Sequence, residues 1–229
     1  MKKRSVFLIL LSLFILSSCR TVSPGDGTQT GDREKSAVLT LVEDTLSSVG
    51  EECVTSGDFE SALPLSYTAY EDYIPSYDEI EEKYLSSVAS IVNEEITGLF
   101  SFAILSAADT VADNPSPYLA GESIISALRK ATEESLTAAL TSSLEEREDE
   151  LDSSFTESRE AFGRVKKAYS ALSAVSKGIY LPTARALDIK SIVSVSVDRY
   201  FFLLSEEESA LRTNPLYGER SLYLEEKEI

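Results

Sequence analysis

The sequence contains no histidine. That removes Ser-His-Asp and Cys-His catalysis, histidine-based zinc or iron sites, and the commonest general base near neutral pH. Lysine, tyrosine and carboxylate chemistry stay formally open. There are two cysteines, Cys19 and Cys53, so a disulfide framework has little to build on. No P-loop, G-x-G-x-x-G, G-x-S-x-G or C-x-x-C pattern occurs, and no repeat at solenoid spacing is evident. Basic residues are scarce: 21 against 39 acidic ones, a net charge of −18. Nucleic acids and anionic headgroups need Lys and Arg to displace counterions, so neither is an expected partner. The acidic balance suits solubility, loose association with divalent cations, or a basic partner. Long apolar runs are also lacking at the N-terminus. Val6 to Leu16 is almost unbroken, but a helix needs roughly 20 apolar residues to cross a bilayer.

What is present there is more informative. Met1-Lys2-Lys3-Arg4 is a short basic region, the apolar run follows it, and Ser17 and Ser18 come next. This is the layout of a secretory signal peptide, residues 1–18. Leu16-Ser17-Ser18-Cys19 resembles the bacterial lipobox in a relaxed form, with Ser18 where Gly or Ala is usual. The resemblance implies cleavage before Cys19 and lipidation of its sulfur and new amino group, palmitate being a typical chain. The alternatives are a plain secreted protein cut nearby, or a cysteine that merely falls at the end of the apolar run. Each buried CH₂ contributes about 0.8 kcal/mol, so several chains hold where one binds only marginally. Removal of residues 1–18 takes away Lys2, Lys3 and Arg4 and makes the charge more negative. Cys53 is then left without an intramolecular partner, and a small buried hydrophobe is the favoured reading for it. Arg20 is not the Asp that retains many envelope lipoproteins at the inner membrane, which by analogy points to the outer membrane.

Residues 20–33, "RTVSPGDGTQTGDR", show no apolar pattern and read, with Cys19, as a flexible tether. A helical domain is expected over 34–229. Val38, Leu41, Val42, Leu46 and Val49 share a helix face that Gly50 ends. Residues 51–77 are irregular, with a short helix expected on either side of Pro64. Tyr67, Tyr70, Tyr73 and Tyr77 crowd there, and packing of their rings on the core is favoured over a binding ledge. Ser76-x-x-Glu79 has the pattern of a capping box. A long helix follows to about Ala112, with a weak point at Gly98, until Asn114-Pro115-Ser116-Pro117 stops it. A second long helix follows Gly121 and carries Ile124, Ile125, Leu128, Thr132, Leu136, Ala139, Leu140 and Leu144 on one face. "LEEREDELD" is a continuation or a turn, with a break expected near Asp152 and a second capping box at Ser154-x-x-Glu157. Asp188 is a candidate N-cap for a last helix over 189–213. Its "IVSVSV" alternates like a strand, but a lone strand would have no sheet to join. The expectation is an all-α single bundle of about five or six helices without substantial sheet.

Two stretches resemble a known family. "SALRKATEESLTAAL" (126–140) looks like a segment of the bacterial proteins classed as domain of unknown function 4197. "DRYFFLLSEEESALRTNPLYGERSLYL" (198–224) is similar to their closing segment, matching at Glu206, Glu207, Glu208, Leu211, Arg212, Asn214, Pro215 and Leu222. "YSAL" (169–172) is similar to a piece just upstream. Gly218 stands where that motif has Arg. The family-like region is about 76–224. The resemblance implies an α-helical envelope protein, commonly with a lipoprotein signal, and supplies no chemistry.

The expected function is therefore a lipid-anchored bacterial envelope protein, a structural or interaction module for another envelope protein. It is not expected to be an enzyme, and no cofactor or metal is assigned. Cys19 is the lipidation site and the membrane contact. Glu206, Glu207 and Arg212 form a candidate interaction surface. Glu208 and Arg212 are expected to make a local i, i+4 pair on a solvated helix end. The alternative function is a helical carrier with an apolar ligand cavity between Phe100, Phe102, Tyr200 and Phe201. Asp109 and Asp113, one turn apart, lack the spacing of an EF-hand loop and read as solvated.

Overall fold

Buried positions recur every fourth residue along the three longest core helices. On the helix Tyr77–Ala112 they are Tyr84, Val88, Val92, Ile96, Phe100, Ile104, Ala108 and Ala112. On Ile124–Glu146 they are Ile124, Leu128, Thr132, Leu136, Leu140 and Leu144. On Ile189–Thr213 the stripe is Ile192, Ser196, Tyr200, Leu204 and Glu208, with Val193, Val197 and Phe201 beside it. A step of four residues overshoots one turn by about 40°. Such stripes wind around their helices in the right-handed sense, opposite to the seam of a heptad coiled coil. A long helix with a winding stripe must find successive partners around its circumference, and the rest of the chain supplies them.

The computed structural model describes residues 29–176 and 181–214. Nine helices and two 3₁₀ turns are present among them, and no strand. They are α1 (Gln29–Ser48), α2 (Ser56–Phe59), α3 (Leu65–Thr68), α4 (Tyr77–Ala112), α5 (Ser116–Leu119), α6 (Ile124–Glu146), α7 (Glu148–Ser154), α8 (Thr156–Ser176) and α9 (Ile189–Thr213). The turns are Glu60–Ala62 and Glu71–Tyr73. The all-α expectation holds, and the count rises from five or six to nine because short helices fill the connections. α6 packs along both α4 and α9, while α7 and α8 lie against α4. α4 is long and apolar enough by composition to cross a membrane, yet its buried positions belong to the core of this bundle.

Several local expectations change. The stretch read as tether ends earlier, since α1 begins at Gln29. Gly98 does not interrupt α4, which runs 36 residues. Neither expected capping box forms. Ser76 takes a left-handed conformation with φ 57° and makes no side-chain cap, so the turn from Ile74 into α4 overrides it. Ser154 ends α7 and donates to the Leu151 carbonyl. "LEEREDELD" turns at Arg147, and the chain turns again at Phe155, just beyond it. Arg147 fixes the first turn: its guanidinium reaches Glu95 at 2.9 Å, Glu94 at 3.1 Å and Glu150 at 2.7 Å. Pro117 sits in the first turn of α5, where a missing N–H costs nothing. The cap at Asp188 forms as expected, accepting from the Ser191 N–H at 2.7 Å.

The tyrosine-rich segment packs inward. Tyr67 and Tyr70 are fully buried. The Tyr67 ring meets Phe162 edge-on at 4.7 Å and lies 6.0 Å from Tyr84 and from Phe155. Each buried ring hands its hydroxyl to a partner. Tyr67 pairs with Ser158 Oγ at 3.2 Å, Tyr70 donates to the Pro182 carbonyl, and Tyr84 accepts from the Leu187 N–H at 2.9 Å. The rings thereby pin the chain at Pro182 to the tyrosine segment and at Leu187 to α4. Burial pushes the hydroxyls of Tyr67, Tyr84 and Tyr200 up to about 12.

Two measurements check this core. In the unfolded chain tyrosine ionises near about 10. The stability contributed by the neutral buried hydroxyls is therefore whole below about pH 10 and is lost as pH rises towards about 12. Phenolate absorbance from these rings should rise together with the loss of helical circular dichroism; complete ionisation with the helices intact would contradict their burial. Phe162→Ala should cost about 3–5 kcal/mol in urea unfolding, whereas the exposed Leu172→Ala should stay within about 0.5 kcal/mol.

Candidate functional site

The most demanding polar group in the fold is Glu208, which is 2% exposed. It occupies a stripe position of α9 that points at the start of α6. Its carboxylate accepts from Ser123 Oγ at 2.6 Å, the Ile124 N–H at 3.0 Å and the Ile125 N–H at 3.2 Å. These amides are among the first of α6, which have no partner within their own helix. The positive end of the helix dipole favours the negative charge further. Ser123 Oγ also accepts from the Ser126 N–H at 3.2 Å, so residue and carboxylate cap the helix jointly. Arg212, one turn along, completes the neutralisation, with Nε at 2.8 Å and Nη2 at 2.7 Å from Glu208 Oε1. Its other donors reach the Tyr118 carbonyl and the Glu122 carbonyl, both at 3.0 Å.

The exposed i, i+4 pair expected from the spacing is thus a buried clamp joining α9, the α5 segment and α6. The candidate surface Glu206, Glu207 and Arg212 does not come together as one. Glu206 is exposed, Glu207 is half-buried, and Arg212 turns inward. Glu208, expected on a solvated helix end, is the residue whose burial the pair spacing did not reveal. The signal was available: Glu208 falls four residues after Leu204 on the stripe that begins at Ile192.

The apolar ligand cavity is corrected in the same way. The Phe100 and Tyr200 rings pack edge-to-face at 5.0 Å, so each fills the space expected between them. Phe102 stands 75% exposed on the outer side of α4. Phe201 alone borders an opening, a groove of about 580 Å³ between α6 and α9. Ile125, Val195 and Phe202 share its apolar lining, with Arg129, Asp198 and Arg199 at the edges. Phe202 is 52% exposed. The two guanidiniums lie over adjacent rings, Arg129 at 5.5 Å from the Phe201 centroid and Arg199 at 5.3 Å from Phe202. Arg129 also pairs with Asp198 at 2.5 Å and Glu133 at 2.8 Å. Those hydrogen bonds hold the guanidinium well above its usual range and the Glu133 carboxyl below its own.

A second depression, about 640 Å³, lies where residues 51–56 meet α4. Asn93 organises it. Its Oδ1 accepts from the Cys53 N–H at 2.9 Å and the Val54 N–H at 3.0 Å, and its Nδ2 donates to the Val54 carbonyl at 2.9 Å. One amide side chain thus satisfies three backbone groups of a segment with no secondary structure. Cys53 is buried, and burial pushes its thiol up to about 11. Asp109 and Asp113 pair with Lys35 of α1, at 3.8 and 2.5 Å. No group of three acidic or cysteine side chains suited to a metal occurs among the described residues. Cys19 lies outside the described residues.

Glu208→Ala should cost about 3–5 kcal/mol in chemical unfolding, because it strands the Arg212 charge and the α6 amides together. The exposed Glu206→Ala should change stability by less than about 0.5 kcal/mol. Equal effects from the two would refute the clamp. Comparison with family models, with curated proteins and with solved structures finds no match to this chain.

Proposed function

We propose that the chain is a lipid-anchored bacterial envelope protein, held to the outer membrane through acyl chains on Cys19. In this reading it acts as an interaction module that presents its helical domain to another envelope protein. The observation that carries it is Leu16-Ser17-Ser18-Cys19 at the end of a short apolar run behind Lys2, Lys3 and Arg4. The likeness of residues 198–224 to a family of helical envelope proteins agrees with it. The interior adds support. Two of the four rings expected to enclose a ligand, Phe100 and Tyr200, fill each other's space, which favours a surface role over a carrier role. The aromatic groove between α6 and α9 is where that surface offers shape and chemistry at once.

Intact-mass spectrometry of the mature protein tests the anchor. A first residue Cys19 carrying diacylglycerol and an amide-linked chain is expected, and Cys19→Ser should move the protein from the membrane to the soluble fraction. An unmodified Cys19, or cleavage elsewhere, would refute the anchor.

A further inference from the structure

The charge of this chain is unevenly spread. Residues 161–187 hold Arg164, Lys166, Lys167, Lys177 and Arg185, five of the 21 basic residues, and none of the 39 acidic ones. Lys177 lies outside the described residues. The other four stand on α8 and on the irregular chain that returns beside it, where Lys166 Nζ donates to Thr183 Oγ1. Lys167 and Arg185 are exposed and make no hydrogen bond or ion pair among the described residues. Arg164 has one carboxylate near it, Glu160 at 3.9 Å, and both side chains are mostly exposed. The acids on adjoining elements are Glu71 and Asp72, on the turn that carries Tyr73, and Asp188, which caps α9. None of these three pairs with a cation of the span among the described residues.

The apolar stripe of α8 outruns the core. Ala161 and Phe162 are buried, Val165 and Tyr169 are half-buried, and Leu172 is 62% exposed. Tyr169 meets the partly exposed Tyr73 edge-on at 4.9 Å. At about 100° per residue, Arg164 and Lys166 flank this stripe on opposite sides. Cations bordering an emerging apolar stripe, with tyrosine at its edge, are the composition of an interfacial helix. Apolar side chains enter the acyl boundary there, while Lys, Arg and Tyr stay at headgroup level.

We propose that the C-terminal half of α8 rests on anionic phospholipid headgroups of the membrane that holds the anchor. Arg164, Lys166 and Arg185 meet the headgroups, and Leu172 enters below them. This rests on the membrane-anchored reading above and names the face of the domain that meets the bilayer. The net charge of −18 made anionic headgroups unexpected. Exposed charges farther than about 8 Å are screened at physiological salt, however, so the local sign decides. A tether raises the effective concentration of the surface it is fixed to, which favours the bilayer over an acidic protein segment. The contact also orients the domain. α8 starts beside Lys83 and Tyr84 and meets Tyr77 through Phe162, so it runs towards the N-terminal end of α4. Lys35 of α1 pairs with Asp109 and Asp113 at the opposite end, about 50 Å away at 1.5 Å per residue. Both contacts are met when α4 lies along the membrane surface.

The test uses the full mature chain on vesicles, with an environment-sensitive fluorophore at Ala168→Cys, an exposed position beside the stripe. Cys53 is buried. On vesicles of equal parts phosphatidylglycerol and phosphatidylcholine the emission should move to shorter wavelength than on pure phosphatidylcholine. The same label at Ala138→Cys, exposed on α6, should not respond. Arg164→Gln, Lys166→Gln and Arg185→Gln together should abolish the shift, since about fivefold per cation lowers the docked population about 100-fold. Leu172→Ala should reduce it. Circular dichroism confirms that the variants fold; should the triple variant unfold, loss of the shift at high salt in the labelled, otherwise unaltered chain decides instead. No shift on anionic vesicles, an equal shift on neutral ones, or a shift that survives the triple variant would overturn the proposal. A shift with soluble polyglutamate and none with vesicles would also overturn it and assign the cations to an acidic protein segment. Flotation with neutral vesicles reports the anchor itself, so its failure is read separately from failure of this contact.

Discussion

A single carboxylate sets the geometry of this bundle. A charge taken out of water costs several kcal/mol unless the protein returns what water supplied. For Glu208 the return comes from three donors at the start of α6, from the dipole of that helix, and from Arg212. Each contribution requires a fixed position. The α6 amides exist as unpaired donors only at the first turn, so the C-terminal part of α9 must lie against that turn. Arg212 is held by carbonyls at Tyr118 and Glu122, so the α5 segment must close over the same point. With that end fixed, the four-residue stripes of α6 and α9 meet in one register. An apolar residue at 208 would bury equally well but would tolerate sliding along the stripe. The charge adds directional specificity that apolar packing lacks.

Much of this was legible in the sequence, and the exceptions share a cause. Apolar periodicity located α4, α6 and α9 closely, because burial repeats wherever a helix faces the core. It also distinguished the "IVSVSV" of α9 from a strand. The two capping-box motifs misled because the S-x-x-E pattern is local, while the backbone at Ser76 and Ser154 answers to neighbours. Ser76 is turned left-handed by the tight passage from the tyrosine segment into α4, and Ser154 is absorbed into α7. Glu208 was misjudged because charge was weighed before position. Apart from Arg212, its partners lie more than 80 residues earlier in the chain, and no local pattern marks them. Asn93 was missed for the same reason: a polar residue in a long helix looks solvated until a strandless segment is found leaning on it.

The surface takes its character from what the interior has used. Most of the tyrosines in the first half of the domain are spent on packing, with their hydroxyls tied to Ser158, Pro182 and the Leu187 amide. Phe100 and Tyr200 occupy each other's space. Among the described residues six large apolar side chains are left outside, and of these Phe202 lines the groove between α6 and α9. A site expected inside the bundle is therefore better sought at the seam of two helices, one residue beyond the core stripe of α9.

The winding stripe of α4 has a consequence for the chain before it folds. Because burial moves around the helix, apolar residues occur on all its sides, and the segment resembles a membrane span in composition. A chain threaded unfolded through a translocation channel would expose that segment to the lipid. The stretch without charge runs only from Ile96 to Ala108, short of the roughly 20 residues that a bilayer needs. Glu94 and Glu95 bound it on one side and Asp109 on the other, with Ser101 and Ser106 inside it. Those charges would oppose the stranding of this helix in a bilayer.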